Sequence, residues 1–412
     1  MLFQRRDLLL AAILIAALAV RLGWGLRQGS GVDPRLPDQN EYLSIAKNVL
    51  AGRGFVFHDD RFDQDIYAYR TPGYPLFLAA AGGSPLAARV AQALVDTCTV
   101  LGVYLLGRRW LRRNWALVPA VFVALNPFLV YFSGLILSET VFASLLIWSL
   151  VLLVASTDAN SKARRWQLLS GCILLGCSAM VRPSALLLAP LLAFAIGPNS
   201  VRQRLAHLAL CIAALAALFF PWALRNRLVL GRWILATTNG GISRYDGFHP
   251  AASGASDQSF LQCPQFAGVK SMGEVQRDRF FSDLADQRFA ALCREHPSQL
   301  LRLSVLKLAR TWSPIPLSRD FGRRTIYIAA GLVYYAPFYL LIVAGLFGRA
   351  IPLSARVLLV LPPIYLSAVH AMSVGSLRYR IPIEPPMAIL AGAGAVVIRR
   401  GFGRPQAIVT GR

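Results

Sequence analysis

DLLLAAILIAALAVRLGWGL, residues 7–26, is the first of a series of apolar runs that recur along the whole chain. Each run approaches the length of a helix that crosses a bilayer, which needs roughly 20 apolar residues. Of the 412 residues, 56% are apolar, and the mean hydropathy is +0.51. The sequence therefore predicts an all-α polytopic membrane protein, because irregular backbone cannot face lipid.

The apolar runs predict about ten membrane-spanning helices. The first run follows two arginines, as in a signal peptide, but Arg21 and Trp24 stand where a small-residue cleavage site would be expected, so we expect an uncleaved span. Arg182-Pro183 separates two later runs. The predicted spans are 7–26, 86–106, 115–132, 137–155, 167–181, 184–197, 205–224, 325–346, 357–373 and 385–398.

The basic residues predict the orientation of these spans. Lys and Arg number 43 against 20 Asp and Glu, but they do not form the single basic face typical of a nucleic-acid partner. They cluster instead in alternate short loops, which the positive-inside rule assigns to the cytoplasm. We therefore expect one membrane domain over 1–400, two long outer loops at 27–85 and 225–324, and a cytoplasmic tail at 401–412. A bacterial cytoplasmic membrane is the expected location.

The first long loop is expected to carry short helices against the membrane. Tyr42, Ile45 and Ala46 share one face at helical spacing, which predicts an amphipathic helix over 40–50. Residues 74–81 are apolar but too short to cross a bilayer, so we expect them to be interfacial or re-entrant.

The second long loop combines irregular and helical sequence. The Gly-, Asn- and Ser-rich stretch 237–254 is expected to be irregular. Residues 274–312 predict helix, with a break at His296-Pro297. Cys263 and Cys293 both lie in this loop, and an oxidising compartment makes a disulfide between them a hypothesis.

Carboxylates, an arginine and aromatics crowd against the membrane within residues 33–75, in a chain otherwise poor in acids. Asp38 and Glu41 are three residues apart, so they would share a face of a helix that starts near Pro37. Asp38 is a candidate general base, because desolvation beside an apolar interface raises the pKa of a carboxylate. The alternative is that Asp38 only caps the helix.

Glu139 is the second acidic candidate, at the predicted outer end of the fourth span. A carboxylate near the membrane is a functional candidate by default, because its insertion is unfavourable. The alternative is structural: Ser138 would cap the helix, and Glu139 would interact with the positive end of the helix dipole.

Five arginines lie on the predicted outer side, against the positive-inside bias. Guanidinium groups bind phosphate bidentately, so these arginines suggest a lipid phosphate or diphosphate as ligand. The alternative is snorkelling to ordinary headgroups, to which we assign Arg21 and about half of the others. No metal-ligand spacing and no nucleotide-binding motif is found, so no cofactor is predicted and a divalent metal is unsupported. The five are Arg70, Arg182, Arg225, Arg378 and Arg380.

In their order along the chain, these motifs resemble those of the C-type (GT-C) glycosyltransferases, the integral membrane enzymes that include the protein O-mannosyltransferases and the lipid A aminoarabinose transferase. The resemblance covers about residues 1–400, and each motif is weak alone. The motifs are Asp38-x-x-Glu41-Tyr42, Ala46-Lys47-Asn48, Gly52-x-Gly54-Phe55, Arg70-Thr71-Pro72-Gly73-Tyr74-Pro75, Ser138-Glu139, Arg182-Pro183, Pro221-Trp222-x-x-Arg225-Asn226, Thr238-Asn239-Gly240-Gly241 and Arg378-Tyr379-Arg380-x-Pro382-x-x-Pro385.

The resemblance implies transfer of a sugar from a polyprenyl-phosphate donor to an extracytoplasmic lipid, glycan or protein acceptor, usually with inversion. Asp38 matches the catalytic aspartate, Glu139 the second acidic position and Arg70 the residue that contacts the donor phosphate. Tyr69 stands where the aminoarabinose transferase has a metal-binding acid, so the resemblance does not imply a metal here. We assign Glu41 to positioning, and a substrate pocket to Tyr42, Tyr74, Asn239 and Tyr379.

Two other classes of protein fit parts of this pattern. A transporter or flippase of lipid-linked sugars would also show spans and arginines, but it would favour broken helices near the bilayer midplane. A scaffold of an envelope-assembly complex would not need Asp38. The polar residues cluster at one interface, which favours an enzyme.

Overall fold

Over the residues that it describes, the structure is all-α apart from one hairpin, which confirms the predicted fold class. The computed structural model describes residues 5–158, 162–196, 200–317 and 324–401, so the predicted tail beyond 401 lies outside the described residues. Strands β1 (Phe57–Asp59) and β2 (Gln64–Ile66) pair antiparallel. The α-helices are α1 (Arg5–Arg27), α2 (Pro37–Leu50), α3 (Gly73–Ala80), α4 (Pro85–Gly107), α5 (Leu117–Leu125), α6 (Pro127–Ser133), α7 (Glu139–Ala155), α8 (Arg164–Val181), α9 (Leu188–Ile196), α10 (Val201–Leu230), α11 (Gly240–Phe248), α12 (Glu274–Glu295), α13 (Pro297–Thr311), α14 (Thr325–Phe347), α15 (Leu353–Ala371) and α16 (Glu384–Arg400).

The chain is a multi-pass membrane protein, and each predicted span falls on helix, but the number ten is not confirmed. Within the described ranges, 6 segments are long and apolar enough to cross a membrane. Helices α5 and α6 hold 9 and 7 residues, well short of the roughly 20 that a span needs. The 6 segments are Asp7–Arg27, Pro85–Gly107, Val201–Leu230, Thr325–Phe347, Leu353–Ala371 and Leu377–Arg400.

The predicted span 115–132 is two helices, because Asn126 ends the first and caps the second. The Asn126 side-chain oxygen accepts the backbone N–H groups of Phe128 and Leu129 at 2.9 and 3.0 Å. Pro127 follows at the first position of α6, where its missing N–H leaves no donor unsatisfied.

Arg21 lies inside the helix bundle, so the interpretation that it snorkels to headgroups is wrong. Its Nε donates to Asp96 at 2.5 Å, and its side chain has no exposed surface. Its Nη atoms donate to the carbonyls of Ala124 and Val123 at 2.9 Å. These carbonyls belong to the last turn of α5, which lacks intrahelical donors. Arg21 thus stabilises the break before Asn126.

The first long loop folds into α2, the hairpin and α3. Helix α2 buries its apolar face, which confirms the amphipathic helix predicted over 40–50. Helix α3 occupies most of the apolar stretch at 74–81. The hairpin is not predicted from the sequence, and its register pairs the buried Phe57 with the buried Ile66.

One prediction for the second long loop is wrong, because the stretch 237–254 contains helix α11. Ile242, Tyr245 and Phe248 recur at helical spacing and are buried. Burial of this face outweighs the glycine-rich composition, since tertiary packing supplies most of a helix's stability. The predicted break at His296-Pro297 is confirmed, because it separates α12 from α13.

The two long loops share a hydrophobic core of their own, separate from that of the helix bundle. Phe57, Ile66 and Tyr69 of the first loop pack there with Tyr245 and Phe281 of the second. Both loops therefore lie on one side of the bundle. Because Tyr69 belongs to this core, the core also holds the backbone that immediately precedes Arg70.

The two cysteines of the second loop do not form the hypothesised disulfide. Cys263 and Cys293 are both free and exposed. The aromatic core, rather than a covalent bridge, therefore restrains this loop.

Candidate active site

Six charged side chains form a continuous series of ion pairs, here called the ion-pair chain. Its members alternate in sign. They come from α2, from the segments that follow β2 and α8, from the start of α7 and from the turn before α16. In order, the ion-pair chain consists of Glu41, Arg70, Asp38, Arg378, Glu139 and Arg182.

Asp38 and Glu41 face Arg70 from one side of α2. The Arg70 Nη2 atom donates to Asp38 Oδ1 at 2.6 Å, and Nε donates to Glu41 Oε2 at 2.8 Å. Helix α2 begins at Pro37 with Leu36 in the capping position, and no side chain caps it. The alternative that Asp38 caps the helix is therefore wrong, and its carboxylate pairs across the loop instead.

Arg378 connects Asp38 to Glu139. Its Nη1 donates to Asp38 Oδ2 at 2.8 Å, and its Nε donates to Glu139 Oε1 at 2.6 Å. Arg182 Nη1 lies 2.7 Å from the same Glu139 oxygen. Ser138 stands at the cap position of α7 but makes no capping bond, so the capping part of the structural alternative is wrong, although Glu139 does lie in the first turn of α7. Glu139 is fully buried, where a carboxylate without cationic partners would be strongly destabilising.

The ion-pair chain holds three carboxylates and three guanidinium groups, so its formal charges cancel. Burial raises the pKa of Asp38, but the charges and hydrogen bonds of Arg70 and Arg378 outweigh it and hold this pKa well below its usual range. The expectation of a raised pKa is wrong for this state, because it considered desolvation without the arginines. Asp38 is therefore an ionised carboxylate with both oxygens engaged.

Tyr42 and Tyr74 form an aromatic support behind Arg70. The Arg70 guanidinium carbon lies 5.0 Å from the centre of the Tyr42 ring, and the two tyrosine rings pack edge to face at 4.8 Å. Tyr74 has no exposed surface, and its hydroxyl donates to Gln92 at 2.5 Å. The assignment of Tyr74 to the substrate pocket is therefore wrong, since a fully buried ring cannot touch substrate.

Tyr379 lies beside the ion-pair chain, whereas the Asn239 side chain pairs with Thr237 instead. The Arg182 guanidinium carbon is 5.5 Å from the centre of the Tyr379 ring, which stacks on His370 at 3.7 Å. Asn239 precedes α11, where its side chain accepts the hydroxyl of Thr237 at 3.0 Å.

Arg225 and Arg380 do not join the ion-pair chain, and both are corrections to the predicted phosphate site. Arg225 donates to the carbonyls of Tyr67 and Phe55 at 2.8 and 2.6 Å, which ties α10 to the first loop. Arg380 is fully buried and pairs with Glu384 at 2.6 Å. Because these guanidinium groups serve internal partners, we do not assign them to a ligand.

An apolar cavity of about 590 Å³ opens beside the ion-pair chain and includes Arg378 in its wall. Helices α1, α6 and α14 and the segment before Arg378 supply apolar lining. No sequence motif marked this cavity, since its walls come together only through packing. The lining includes Trp24, Phe128, Leu135, Ile326, Ala330 and Leu377.

Glu274 is a second feature that the sequence did not indicate. Its carboxylate accepts the backbone N–H groups of Tyr67 and Ala68 at 2.7 and 2.8 Å, and it also accepts the hydroxyl of Thr238. Glu274 thereby fixes the backbone just before Arg70 and joins it to the second loop.

The acidic residues of this site do not fit a metal ion. No three His, Cys, Asp or Glu side chains within the described ranges converge in a metal-binding arrangement. Asp38, Glu41 and Glu139 each face a guanidinium group. Three arginines in one cluster are suited to an anion instead.

The chain is similar to known proteins in sequence and in structure. Residues 74–224 match the family described as dolichyl-phosphate-mannose-protein mannosyltransferase, while no curated protein sequence matches significantly. The archaeal oligosaccharyltransferase AglB from Archaeoglobus fulgidus, in complex with an inhibitory peptide and a dolichol-phosphate, superposes with a TM-score of 0.55 at 14% identity, covering 95% of this chain and 50% of that chain.

Two further structures extend the comparison. The apo form of the Archaeoglobus fulgidus enzyme gives a TM-score of 0.55 at 14% identity, covering 95% of this chain and 51% of that one. The chain thus spans about half the length of these archaeal proteins. ArnT from Cupriavidus metallidurans bound to undecaprenyl phosphate gives a TM-score of only 0.41 at 15% identity, covering 94% of this chain and 77% of that one. This polytopic membrane protein therefore has the C-type glycosyltransferase fold, and its match to the mannosyltransferase family over 74–224 confirms the resemblance seen in its sequence.

Proposed function

We propose that this chain is a glycosyltransferase that moves a sugar from a polyprenyl-phosphate donor to a lipid, glycan or protein acceptor. One observation carries the proposal. Arg378 lies in the wall of an apolar cavity and at the same time pairs with Asp38 and Glu139. A ligand with an apolar tail and an anionic head suits this junction, and a candidate base stands beside it.

The donor's two parts are recognised by different surfaces. The apolar cavity takes part of the polyprenyl tail, since burying apolar surface is favourable at roughly 25 cal/mol per Å². The phosphate binds Arg378 and Arg70, whose guanidinium forks match its oxygens. The presence of a dolichol-phosphate in the AglB complex, a protein of the same fold, supports a lipid-phosphate ligand here.

Donor binding would also release the base. The phosphate competes with Asp38 for Arg70 and Arg378, so the cause of the depressed pKa of Asp38 is removed when the phosphate arrives. Burial, which raises this pKa, then acts with less opposition. Asp38 becomes a stronger base only when the donor is present. In the absence of donor its carboxylate stays unprotonated.

The transfer step balances with these groups alone. Asp38 takes the proton of an acceptor hydroxyl, whose oxygen attacks the anomeric carbon of the donor sugar. The bond from that carbon to the phosphate oxygen breaks, and its electron pair leaves with the polyprenyl phosphate. Arg70 and Arg378 stabilise the departing charge. Attack opposite the leaving group inverts the anomeric centre. Glu41 and Glu139 orient the two arginines.

We further propose that the domain over 1–400 works in a bacterial cytoplasmic membrane with the ion-pair chain on the extracytoplasmic side. The alternation of basic loops supports this orientation. Both long loops pack beside the ion-pair chain on one side of the bundle, so a single compartment would supply the acceptor.

The Asp38→Asn variant tests the function. We expect the transfer rate to fall about 10²–10⁴-fold, measured with purified protein, a panel of synthetic polyprenyl-phosphate sugars and membrane extract as acceptor source. Binding of polyprenyl phosphate should be unchanged or tighter, because the asparagine competes less for the arginines. Asp33→Asn is the matched control, since Asp33 lies in the same loop and pairs with Arg35.

Two outcomes would overturn the assignment. A stable Asp38→Asn protein with wild-type transfer would remove Asp38 as the base. Wild-type protein that transfers no sugar, yet moves a lipid-linked sugar across a vesicle membrane, would show that the chain is a flippase.

A further inference from the structure

A second cavity, of about 640 Å³, lies where α10 ends and the second long loop begins. Its walls are the last turn of α10, the segment 231–238 and the first turns of α12. It shares no residue with the ion-pair chain or with the apolar cavity at Arg378. The charged and aromatic lining consists of Arg227, Arg232, Trp233, Asp278 and Arg279.

The charge of this cavity is positive. Three arginines and one aspartate line it. The aspartate, Asp278, is partly engaged elsewhere, because its Oδ1 accepts the backbone N–H of Gly241 at 2.8 Å, and the arginines outnumber it. Arg232 and Arg279 are exposed and have no polar partner among the residues that the structure describes. Two guanidinium groups are thus available to an anion.

An apolar belt adjoins these arginines. Trp233 is 61% exposed and its ring stacks on that of Phe220, with ring centres 6.5 Å apart. Leu228 and Phe220 are exposed on α10, which is one of the segments able to cross a membrane. Tryptophan is enriched where a span leaves the bilayer. This pattern is typical of the level at which lipid headgroups meet acyl chains.

We propose that this cavity binds the anionic headgroup of a membrane lipid. Arg232 and Arg279 contact the phosphate, and Trp233 packs against the upper part of the acyl chains. The site goes beyond the proposed transfer reaction, since no step of that reaction uses these residues. Free phosphate carries the same charge as a lipid headgroup. The exposed apolar belt beside the arginines favours a ligand that also has an apolar part.

Tryptophan quenching by brominated lipids tests the proposal in the full-length protein. Because the chain has 8 tryptophans, the signal of Trp233 is taken as the difference between wild type and Trp233→Phe. We expect brominated phosphatidylglycerol to quench Trp233 at concentrations at least roughly tenfold below those of brominated phosphatidylcholine, since arginines near a membrane surface favour an anionic lipid.

Variants then separate the arginines from the general attraction of a basic protein. The Arg232→Gln/Arg279→Gln double variant should remove the preference for phosphatidylglycerol without a change in melting temperature. Arg244→Gln is the matched control, because Arg244 lies in the same loop but pairs with Asp286, and it should keep the preference.

Two results would overturn the proposal. Equal quenching of Trp233 by both lipids, or a preference that survives in the double variant, would show that the arginines recognise no headgroup. Displacement of the brominated lipid by millimolar inorganic phosphate, together with phosphate binding in the absence of lipid, would assign the cavity to a free anion. Neither result depends on transferase activity.

Discussion

Arg378 donates to Glu139 at 2.6 Å across 239 positions of the sequence. The same guanidinium group contacts Asp38 and borders the apolar cavity. A single side chain thus joins both acidic candidates to the surface on which an apolar ligand would lie.

Arg378→Ala should weaken binding of polyprenyl phosphate by about 1.5–3 kcal/mol, because a charge-assisted contact with the phosphate is lost. Arg378→Lys should recover only part of this affinity, since a point charge replaces a planar fork. Direct binding measurements in detergent would check both. Arg35→Ala is the control, as Arg35 is mostly exposed in the first loop. Wild-type affinity in Arg378→Ala would remove this residue from the donor site.

Ala330→Trp should fill part of the apolar cavity from α14 and lower the affinity for a long-chain polyprenyl phosphate roughly tenfold or more, because the displaced tail loses buried apolar area. A short-chain, water-soluble analogue should bind as well as it does to wild type. Ala329→Trp is the matched control, because Ala329 is the neighbouring, equally exposed alanine and does not line the cavity. Equal effects on both chain lengths would argue against a tail in this cavity.

Glu274→Gln should loosen the backbone before Arg70. Glutamine offers one accepting oxygen where the carboxylate has two, so either Tyr67 or Ala68 loses its acceptor. Amide hydrogen exchange at these residues should speed up about tenfold, the equivalent of one lost hydrogen bond. Glu295→Gln, at the exposed end of the same helix, should leave exchange unchanged. Unaltered protection of both amides would show that Glu274 does not fix the backbone before Arg70.

Because of Lys307, the free energy of unfolding should increase as the pH becomes alkaline. Burial lowers its pKa to about 8, although Asp246 acts in the opposite direction. The unfolded chain therefore binds this proton more tightly than the folded chain. The free energy of unfolding should rise between about pH 8 and the usual lysine pKa, by up to about 1.4 kcal/mol per pH unit.

The Lys307→Met variant isolates this contribution. The difference in melting temperature between wild type and Lys307→Met should change in favour of wild type as the pH rises from 8 to 10. Lys270→Met, at an exposed position of the same loop, should show no such trend. A pH-independent difference would mean that Lys307 keeps its proton in the folded protein over this range.

The sequence predicts the helices well because lipid imposes long apolar runs, and these can be recognised without tertiary information. It predicts the number of spans less well. Asn126 divides one apolar run into two short helices through a local cap that composition does not reveal. Helix α11 escapes prediction for a different reason, since its apolar face is stabilised by residues further along the chain, such as Phe260 and Phe281.

The candidate site, like the fold, is predicted only in part from the sequence. Asp38, Arg70, Glu139, Arg182 and Arg378 were singled out as charges unusual for their location, and the structure brings all of them together.

The same reasoning assigns Arg380 to the phosphate site. However, Glu384 lies one helical turn away and neutralises the charge of Arg380 inside the bundle. That spacing was visible in the sequence and could have excluded Arg380 from the phosphate site. Glu274 carried no such signal, because its partners are backbone amides some 206 positions away.

The pairing of Asp38 with Arg378 spans 340 positions, which has a consequence for biogenesis. While the chain emerges from the ribosome and inserts, Asp38 and Glu139 enter the membrane region long before Arg378 is synthesised. Until then Glu139 has only Arg182 as a cationic partner in the ion-pair chain. Nascent chains should therefore stay open and accessible to membrane proteases until the turn before α16 is in place. Fragments that stop before it should be degraded rather than accumulate as partly active enzyme.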